Sequence, residues 1–355
     1  MSKAMGKAID SVLLFGILLL RLSSVFYVRT FFAPDEYYQA LEPAYKALRE
    51  NEFYETETRN SPVRLTWEWQ KSAALRSPLY SIFISFSMVV FGDERLIQFF
   101  DRFQECLGIT PTFDAAPVIS ARVLHAFLSF NAELFLYNKL KVNLGVNQAY
   151  WFLFLSTTSW FWFYSCSRTL VNTLETIANL YALGLFLESS IKTEKAVKSA
   201  VKMRAIKILH FSKPENTRLP DSDDEENLQK DLDILSYDFL TVADYYRYPI
   251  YLIPVGVCAI IRPTIVLPWV QIYLFEIAQL YELGTRTRNT LKSPFMPCIL
   301  HVINSSIAVL LFIGLGVFID SYFYTKILKI SNIYRKYLFR KLSELGLQPL
   351  GTSRP

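Results

Sequence analysis

SVLLFGILLLRLSSVFYVRTFFAPDEYYQALEPAY, Ser11 to Tyr45, passes from a long apolar run into an acidic pair, Asp35 and Glu36. The run meets the roughly 20 residues that a helix needs to cross hydrocarbon, so the pair sits where the chain has just left the bilayer. A carboxylate held there can act as a base on a lipid-borne substrate. Lys3 and Lys7 precede the first span, residues 8–28, which places the N-terminus in the cytosol. The span's length, with no A-x-A site, reads as a retained anchor. Residues 29–76 then form a lumenal or extracellular first loop. Tyr37, Leu41, Tyr45 and Leu48 recur at helical spacing within it, predicting an amphipathic helix in the interface. Asp35 and Glu36 read equally as a helix cap with its dipole partner or as catalytic groups.

Composition extends this reading to the whole chain. Of 355 residues 52% are apolar and 15% aromatic, with 28 Phe and 21 Tyr, far richer than a soluble domain. The expected fold is all-α, a polytopic membrane protein. The net charge of +5 comes without nucleic-acid motifs, so no nucleic-acid partner is expected, and the basic residues set topology instead. Cys106, Cys166, Cys258 and Cys298 show neither a disulfide framework nor zinc spacing. No Gly-rich phosphate loop, G-x-S-x-G or metal-ligand spacing occurs, and His125, His210 and His301 are scattered, which disfavours hydrolases, kinases and metalloenzymes. Asn304 begins an N-S-S sequon inside an apolar run. No internal repeat is visible.

Further apolar runs occupy about 77–92, 118–137, 146–190, 247–281 and 296–318. Lys192 to Lys207 carries six basic residues against one acid, followed by the acidic run Asp221 to Glu226. This charge pattern predicts a cytosolic, poorly ordered loop over 191–246. Two full crossings within 146–190 would put that loop in the lumen, so the polar interruption SCSRTLVNTLET, Ser165 to Thr176, is expected to join two part-length helices that cross once in net. Charge at that depth requires burial in protein or a wet cavity. In AIIRPTIVLPW, Pro263 breaks a second segment beside Arg262, with 247–261 rising, 264–281 descending, and 296–318 delivering Asp320 to the lumen.

Four polar constellations fall near one membrane face. Besides Asp35 and Glu36, they are LTWEWQKSAALRSPLY, with Trp67, Glu68, Trp69 and Arg76; Arg168, Asn172 and Glu175; and Arg262, with Arg122 as a weaker companion. The tryptophans read as interfacial belt residues or as a platform for a sugar. Arg168 and Asn172, at i,i+4, share a helical face, either as an interhelical clamp or as a ligand site. Arg262 and Arg122 read as phosphate ligands or as halves of buried ion pairs. Intramembrane charge on broken helices also fits a transporter.

APDEYYQALE, LTWEWQKSAALRSPLY, FWFYSCSRTLVNTLET and IIRPTIVLPW, in this order, closely resemble the dolichol-phosphate-mannose-dependent mannosyltransferases of glycosyltransferase family 22, with the GT-C fold. The resemblance covers residues 10–324, and TWEW with RTLVNTLET points to the type that adds the third mannose to the GPI-anchor precursor over the N-glycan or fourth-mannose types. It implies a multi-pass endoplasmic reticulum membrane enzyme of GT-C helical-bundle type with a lumenal active site. Its donor would be dolichyl-phosphate mannose and its acceptor the GPI precursor, with inversion to an α-1,2 linkage and no metal or other cofactor. Carried over by position, Asp35 is the general base with Glu36 adjacent, and Arg76, Arg168 or Arg262 neutralises the donor phosphate.

Two departures from the pattern stand out. Ala33 replaces a His of several relatives. After Phe318–Tyr324, where the family continues with an H-P-W segment and more spans, the chain runs TKILKISNIYRKYLFRKLSELGLQPLGTSRP, with seven basic residues against Glu344. The expected organisation is a partial GT-C domain over 1–320 and a divergent basic tail over 321–355, the tail forming an amphipathic helix along Ile327, Ile330, Tyr334, Leu338 and Leu342 or remaining disordered. The chain reads as a truncated or alternatively ended product, or a defective gene model. An inactive membrane-binding isoform is the alternative to an enzyme, and no protein partner is indicated.

Overall fold

The computed structural model describes residues 3–28, 34–50, 65–69, 76–91, 102, 116–212, 249–286 and 295–324. Among these there is no strand, and the chain is an all-α polytopic membrane protein. Its helices are α1 (Lys3–Tyr27), α2 (Glu42–Glu50), α3 (Leu79–Phe91), α4 (Ala116–Asn143), α5 (Val146–Thr158), α6 (Trp160–Ser165), α7 (Val171–Ser212), α8 (Leu252–Ile261), α9 (Val266–Arg286) and α10 (Met296–Tyr324). Among the described residues four apolar helical stretches are long enough to cross a bilayer: Asp10–Tyr27, Val118–Asn143, Pro263–Glu282 and Cys298–Tyr322.

Polar contacts fix how the helices run past one another. Near the start of α1, Asp10 accepts hydrogen bonds from Tyr137 (3.0 Å) and Tyr150 (2.7 Å) and pairs with Lys141. Near the other end of α1, Arg122 donates to the Val28 carbonyl at 3.4 Å and to Glu36. Helix α4 therefore runs from the Glu36 end to the Asp10 end, antiparallel to α1. Gly145, at φ 107°, makes the left-handed turn into α5 that a side chain would strain. Helices α5 and α6 climb back to Arg168, at the Glu36 end, and α7 descends until Glu188 pairs with Lys139. Residues 146–190 thus make two passes, not the single net crossing expected. The parity problem disappears because α4 already begins at the Glu36 end.

The breaks follow local chemistry. Ser159 is extended (ψ 106°) and its hydroxyl accepts from the Trp162 amide at 3.3 Å, capping α6. Between α6 and α7 the chain leaves the helical path over 166–170 only, so the polar interruption is shorter than expected. Arg262, ahead of Pro263, is extended (φ −144°, ψ 99°) and separates α8 from α9, as the sequence predicts.

Helix α7 corrects a second expectation. Its 42 residues run unbroken through Lys192–Lys207, which the charge pattern marks as a loop. Lys, Ala, Met and Arg are strong helix formers, and Glu188–Lys192 (2.8 Å) and Glu194–Lys198 (2.6 Å) are supporting i,i+4 pairs. Residues 213–248 lie outside the described residues, as do the tail from 325 and its expected amphipathic helix. The 320/321 boundary falls inside α10.

A third correction concerns the first loop. A π-helical turn, Tyr37–Leu41, precedes α2 and adds a residue to the repeat. The buried face runs through Glu36, Ala40, Leu41, Ala44 and Ala47, while Tyr37 and Tyr45 are half-buried and the Leu48 side chain lies outside the described residues. That face packs on α3, where Ser85 donates to the Ala44 carbonyl at 3.1 Å. Small residues allow close approach elsewhere: Gly184 of α7 takes the Phe135 ring of α4, and Gly256 of α8 takes Phe312 of α10.

The threading places Leu144, between α4 and α5, at the opposite end from Trp67. Single cysteines at these exposed positions in a cysteine-free background should label from opposite sides of sealed microsomes. Labelling of both from one side would contradict the two passes of 146–190.

Candidate active site

Directly ahead of the π-turn, the Glu36 carboxylate lies fully buried between two guanidinium groups. Arg122 of α4 approaches side-on, Nε to Oε1 at 2.9 Å and Nη2 to Oε2 at 3.1 Å. Arg168, from the segment between α6 and α7, donates Nη1 to Oε2 at 2.6 Å. Thr169 adds its amide (3.3 Å) and hydroxyl (3.2 Å) to Oε1. Arg168 also lies over the Tyr164 ring, 4.9 Å from its centroid. Burial alone would push the Glu36 carboxyl up, but the charges and hydrogen bonds of Arg122 and Arg168 outweigh it and hold the group below its ordinary value of 4.5. Both carboxylate oxygens are engaged by donors, so Glu36 is built to hold structure, not to accept a proton. Its side chain makes no helix-capping hydrogen bond.

Asp35 stands about 100° round the helix axis from Glu36 and is exposed. Tyr38, three residues on in the π-turn, is exposed as well. The pair therefore divides its labour by burial, one carboxylate locked inside and the other presented outward.

The other anticipated residues separate into distinct places. Arg168 and Asn172 do not share a helical face, because the helix begins only at Val171; Arg168 is buried in the cage and Asn172 is exposed. Arg262 pairs with Glu175 at 3.0 Å and donates to Thr264 Oγ1 at 2.8 Å, remaining about one-third exposed (32%). Arg76 pairs with Glu68 through Nε (3.1 Å) and Nη2 (3.2 Å). The Trp67–Trp69 segment is a 3₁₀ turn; Trp69 is buried and donates Nε1–H to the Tyr38 carbonyl at 3.2 Å, whereas Trp67 is 62% exposed.

One apolar cluster brings these pieces to the same end of the bundle. Tyr37, Ala40 and Leu41 pack with Tyr80, Ala121, Val171, Leu174 and Ile261. Leu174 and Ile261 are the immediate neighbours of the Glu175–Arg262 pair. Asp320, near the end of α10, faces Ser77, next to Arg76. Beside Glu36, Tyr80 donates to His125 Nε2 at 2.8 Å while His125 Nδ1 contacts the Ala121 carbonyl at 2.9 Å. No three His, Cys, Asp or Glu side chains converge as metal ligands would among the described residues.

Sequence reasoning gave Arg122 only a minor part and passed over Thr169, Tyr38 and the buried pair Arg21–Glu133, joined at 2.7 and 2.9 Å with Trp162 donating to Glu133 at 2.8 Å. The available signal was the presence of Arg21, Arg122 and Glu133 inside apolar runs, where a charge needs a partner.

A family model for Alg9-like mannosyltransferases matches residues 12–334. The chain belongs to that family. It is 33% identical over 172 residues to GPI mannosyltransferase 3 of Drosophila melanogaster, covering 48% of this chain and 24% of that protein. It is 32% identical over 188 residues to GPI alpha-1,2-mannosyltransferase 3 of Homo sapiens, covering 53% of this chain and 28% of that protein. Mannosyltransferase APTG1 of Arabidopsis thaliana is 25% identical over 163 residues, 46% of this chain and 25% of that protein. The chain spans about a quarter of the length of these curated relatives. No solved structure matches it.

For this mannosyltransferase-family chain the cage has a pH signature. A carboxyl held below its ordinary value contributes stability that is fully present above about 4.5 and is lost as pH falls through the folded value. The thermal midpoint of the purified protein should therefore drop as pH is lowered below 4.5, and Glu36→Gln should reduce that dependence. Glu36→Ala, which strands two buried guanidiniums, should cost about 3–5 kcal/mol. Identical pH dependence in wild type and Glu36→Gln would refute the assignment.

Proposed function

We propose that this chain is an endoplasmic reticulum mannosyltransferase that moves mannose from dolichyl-phosphate mannose to a GPI-anchor precursor in α-1,2 linkage. The observation that carries the reading is the exposed Asp35 beside a fully engaged Glu36, at the end of the bundle where Arg262 is also accessible. The family match and the printed names of the fly and human relatives support the sugar and the acceptor class.

In the proposed reaction the acceptor hydroxyl gives its proton to the Asp35 carboxylate as its oxygen attacks C1 of mannose. The bond from C1 to the phosphate oxygen breaks, its electron pair leaving on dolichyl phosphate, and β configuration becomes α. An inverting step needs a base on the face opposite the leaving group. The phosphate needs no strong acid but gains from cations placed where its charge develops. Arg262 is the candidate of choice, since it meets Glu175 and Thr264 through Nε alone, whereas Arg168 is fully buried against Glu36 and Arg76 is held by Glu68 through both Nε and Nη2. The arginines take the neutralising role in this reading, with no metal or cofactor. Asn172, exposed in the first turn of α7, lines the same end and is assigned to substrate contact. The Glu36 end is then lumenal, with the Asp10 end and the basic stretch of α7 cytosolic, in keeping with the positive-inside rule.

In cells lacking GPI mannosyltransferase 3, the 355-residue chain should restore surface GPI-anchored protein. Asp35→Ala should lower transfer in microsomes by about 10²-fold or more at equal expression. Wild-type transfer by Asp35→Ala would remove the base assignment, and failure of the unmutated chain despite normal expression would remove the activity.

A further inference from the structure

The exposed face beside Asp35 carries two aromatic rings that neither the cage nor the phosphate site uses. Tyr38 is 47% exposed, three residues along the turn from the exposed Asp35. Trp67 is 62% exposed, although it neighbours the Glu68–Arg76 pair and lies two residues from the buried Trp69. These rings are tied together through the backbone. Trp69 donates its indole N–H to the Tyr38 carbonyl, and the Trp69 amide closes the 3₁₀ turn on the Thr66 carbonyl at 3.0 Å. At about 2 Å rise per residue, that turn holds Trp67 within roughly 4 Å, along its axis, of the residue docked on Tyr38.

The placement separates the two tryptophans. A 3₁₀ turn rotates about 120° per residue, so Trp69 points inward, Glu68 sideways to Arg76 and Trp67 outward. Two outward aromatic rings bordered by a planar carboxylate–guanidinium pair match the chemistry of a hexopyranose, which has one C–H-rich face and a rim of hydroxyls. The C–H face lies on the rings, and the hydroxyls meet Glu68 and Arg76. Donor phosphate belongs with Arg262, which is tied to α7 through Glu175, whereas the aromatic pair belongs to the Asp35 turn.

We propose that Tyr38 and Trp67 form the platform for the terminal sugar of the acceptor glycan, and that Trp67, not Trp69, sets acceptor affinity. This rests on the reading of Asp35 as the base that receives the acceptor proton. Trp67 acts by direct contact, and Trp69 acts as a positioning residue through Tyr38.

The test uses the full chain in lipid nanodiscs with α-1,6-mannobiose, a disaccharide without the α-1,2 linkage that the reaction forms, as probe, followed by saturation-transfer NMR. Wild type should bind the disaccharide, Trp67→Leu and Tyr38→Ala should each weaken it about tenfold or more, and Trp67→Phe should stay within about threefold. Trp67→Leu keeps an apolar side chain at the membrane boundary, so a belt role predicts no loss of sugar and stacking predicts a large one. In transfer assays Trp67→Leu should raise KM for the acceptor about tenfold with little change in kcat or in KM for the donor, and Trp67→Phe should restore it to within about threefold of wild type. Equal mannobiose binding by wild type and Trp67→Leu, or no binding by wild type, would overturn the platform. If wild type binds mannobiose through Trp67 but transfers no mannose, the platform stands and the activity reading fails; if it transfers mannose equally with Leu at position 67, the reverse holds.

Discussion

A single carboxylate shared by two buried guanidinium groups organises this end of the molecule. Glu36 collects donors from α4 and from the α6–α7 segment, and Arg122 extends the link to the end of α1 through the Val28 carbonyl. Three elements far apart in sequence thus meet on one side chain. Isolated charge at such a place is very costly, and the pairing is tolerable because every oxygen of the carboxylate has a donor. The exposed orientation of Asp35 follows from it, since the turn that buries Glu36 has to carry its neighbour outward.

The same logic recurs down the bundle. In a membrane, hydrophobicity alone does not press helices together, so close packing and polar contacts decide who sits beside whom. Asp10 joins α1, α4 and α5; Arg21, Glu133 and Trp162 join α1, α4 and α6; Glu276 joins α9 to α7 through Ser189 (3.2 Å) and to α10 through His301 (3.3 Å), with Tyr251 donating to it as well. Each lock uses a charge placed inside an apolar stretch, and each engages at least three segments. Placed at successive depths, the first two hold α1, α4, α5 and α6 in register so that Arg122 and Arg168 arrive together at Glu36.

The features legible in the sequence were those that depend on short-range pattern. Apolar length marked the long spans, and Pro263 marked the break between α8 and α9. What escaped depended on register or on distant partners. The buried face of the first-loop helix keeps the expected spacing but sits one residue earlier, through Glu36, Ala40 and Ala44, because the ion pairs of Glu36 and close packing on α3 set it and not the larger aromatic side chains. The five-residue break before Val171 separates Arg168 from Asn172, although their spacing fits a helical face. The basic run in α7 reads as a solvated loop by charge, yet its helix-favouring residues and i,i+4 pairs keep it helical. Glu36 and Arg168, 132 residues apart, could be paired only in three dimensions.

Ionic strength divides the polar groups of the Glu36 end into two kinds. At about 0.15 M salt the Debye length is roughly 8 Å, so charges open to solvent are screened while those sealed from mobile ions are not. The Glu36 cage, with Arg168 fully buried, belongs to the second kind. The Glu68–Arg76 and Glu175–Arg262 pairs, each partly open to solvent, belong to the first. Changes in the surrounding electrolyte therefore loosen or tighten the two outer pairs while leaving untouched the Glu36 cage, and with it the outward placement of Asp35.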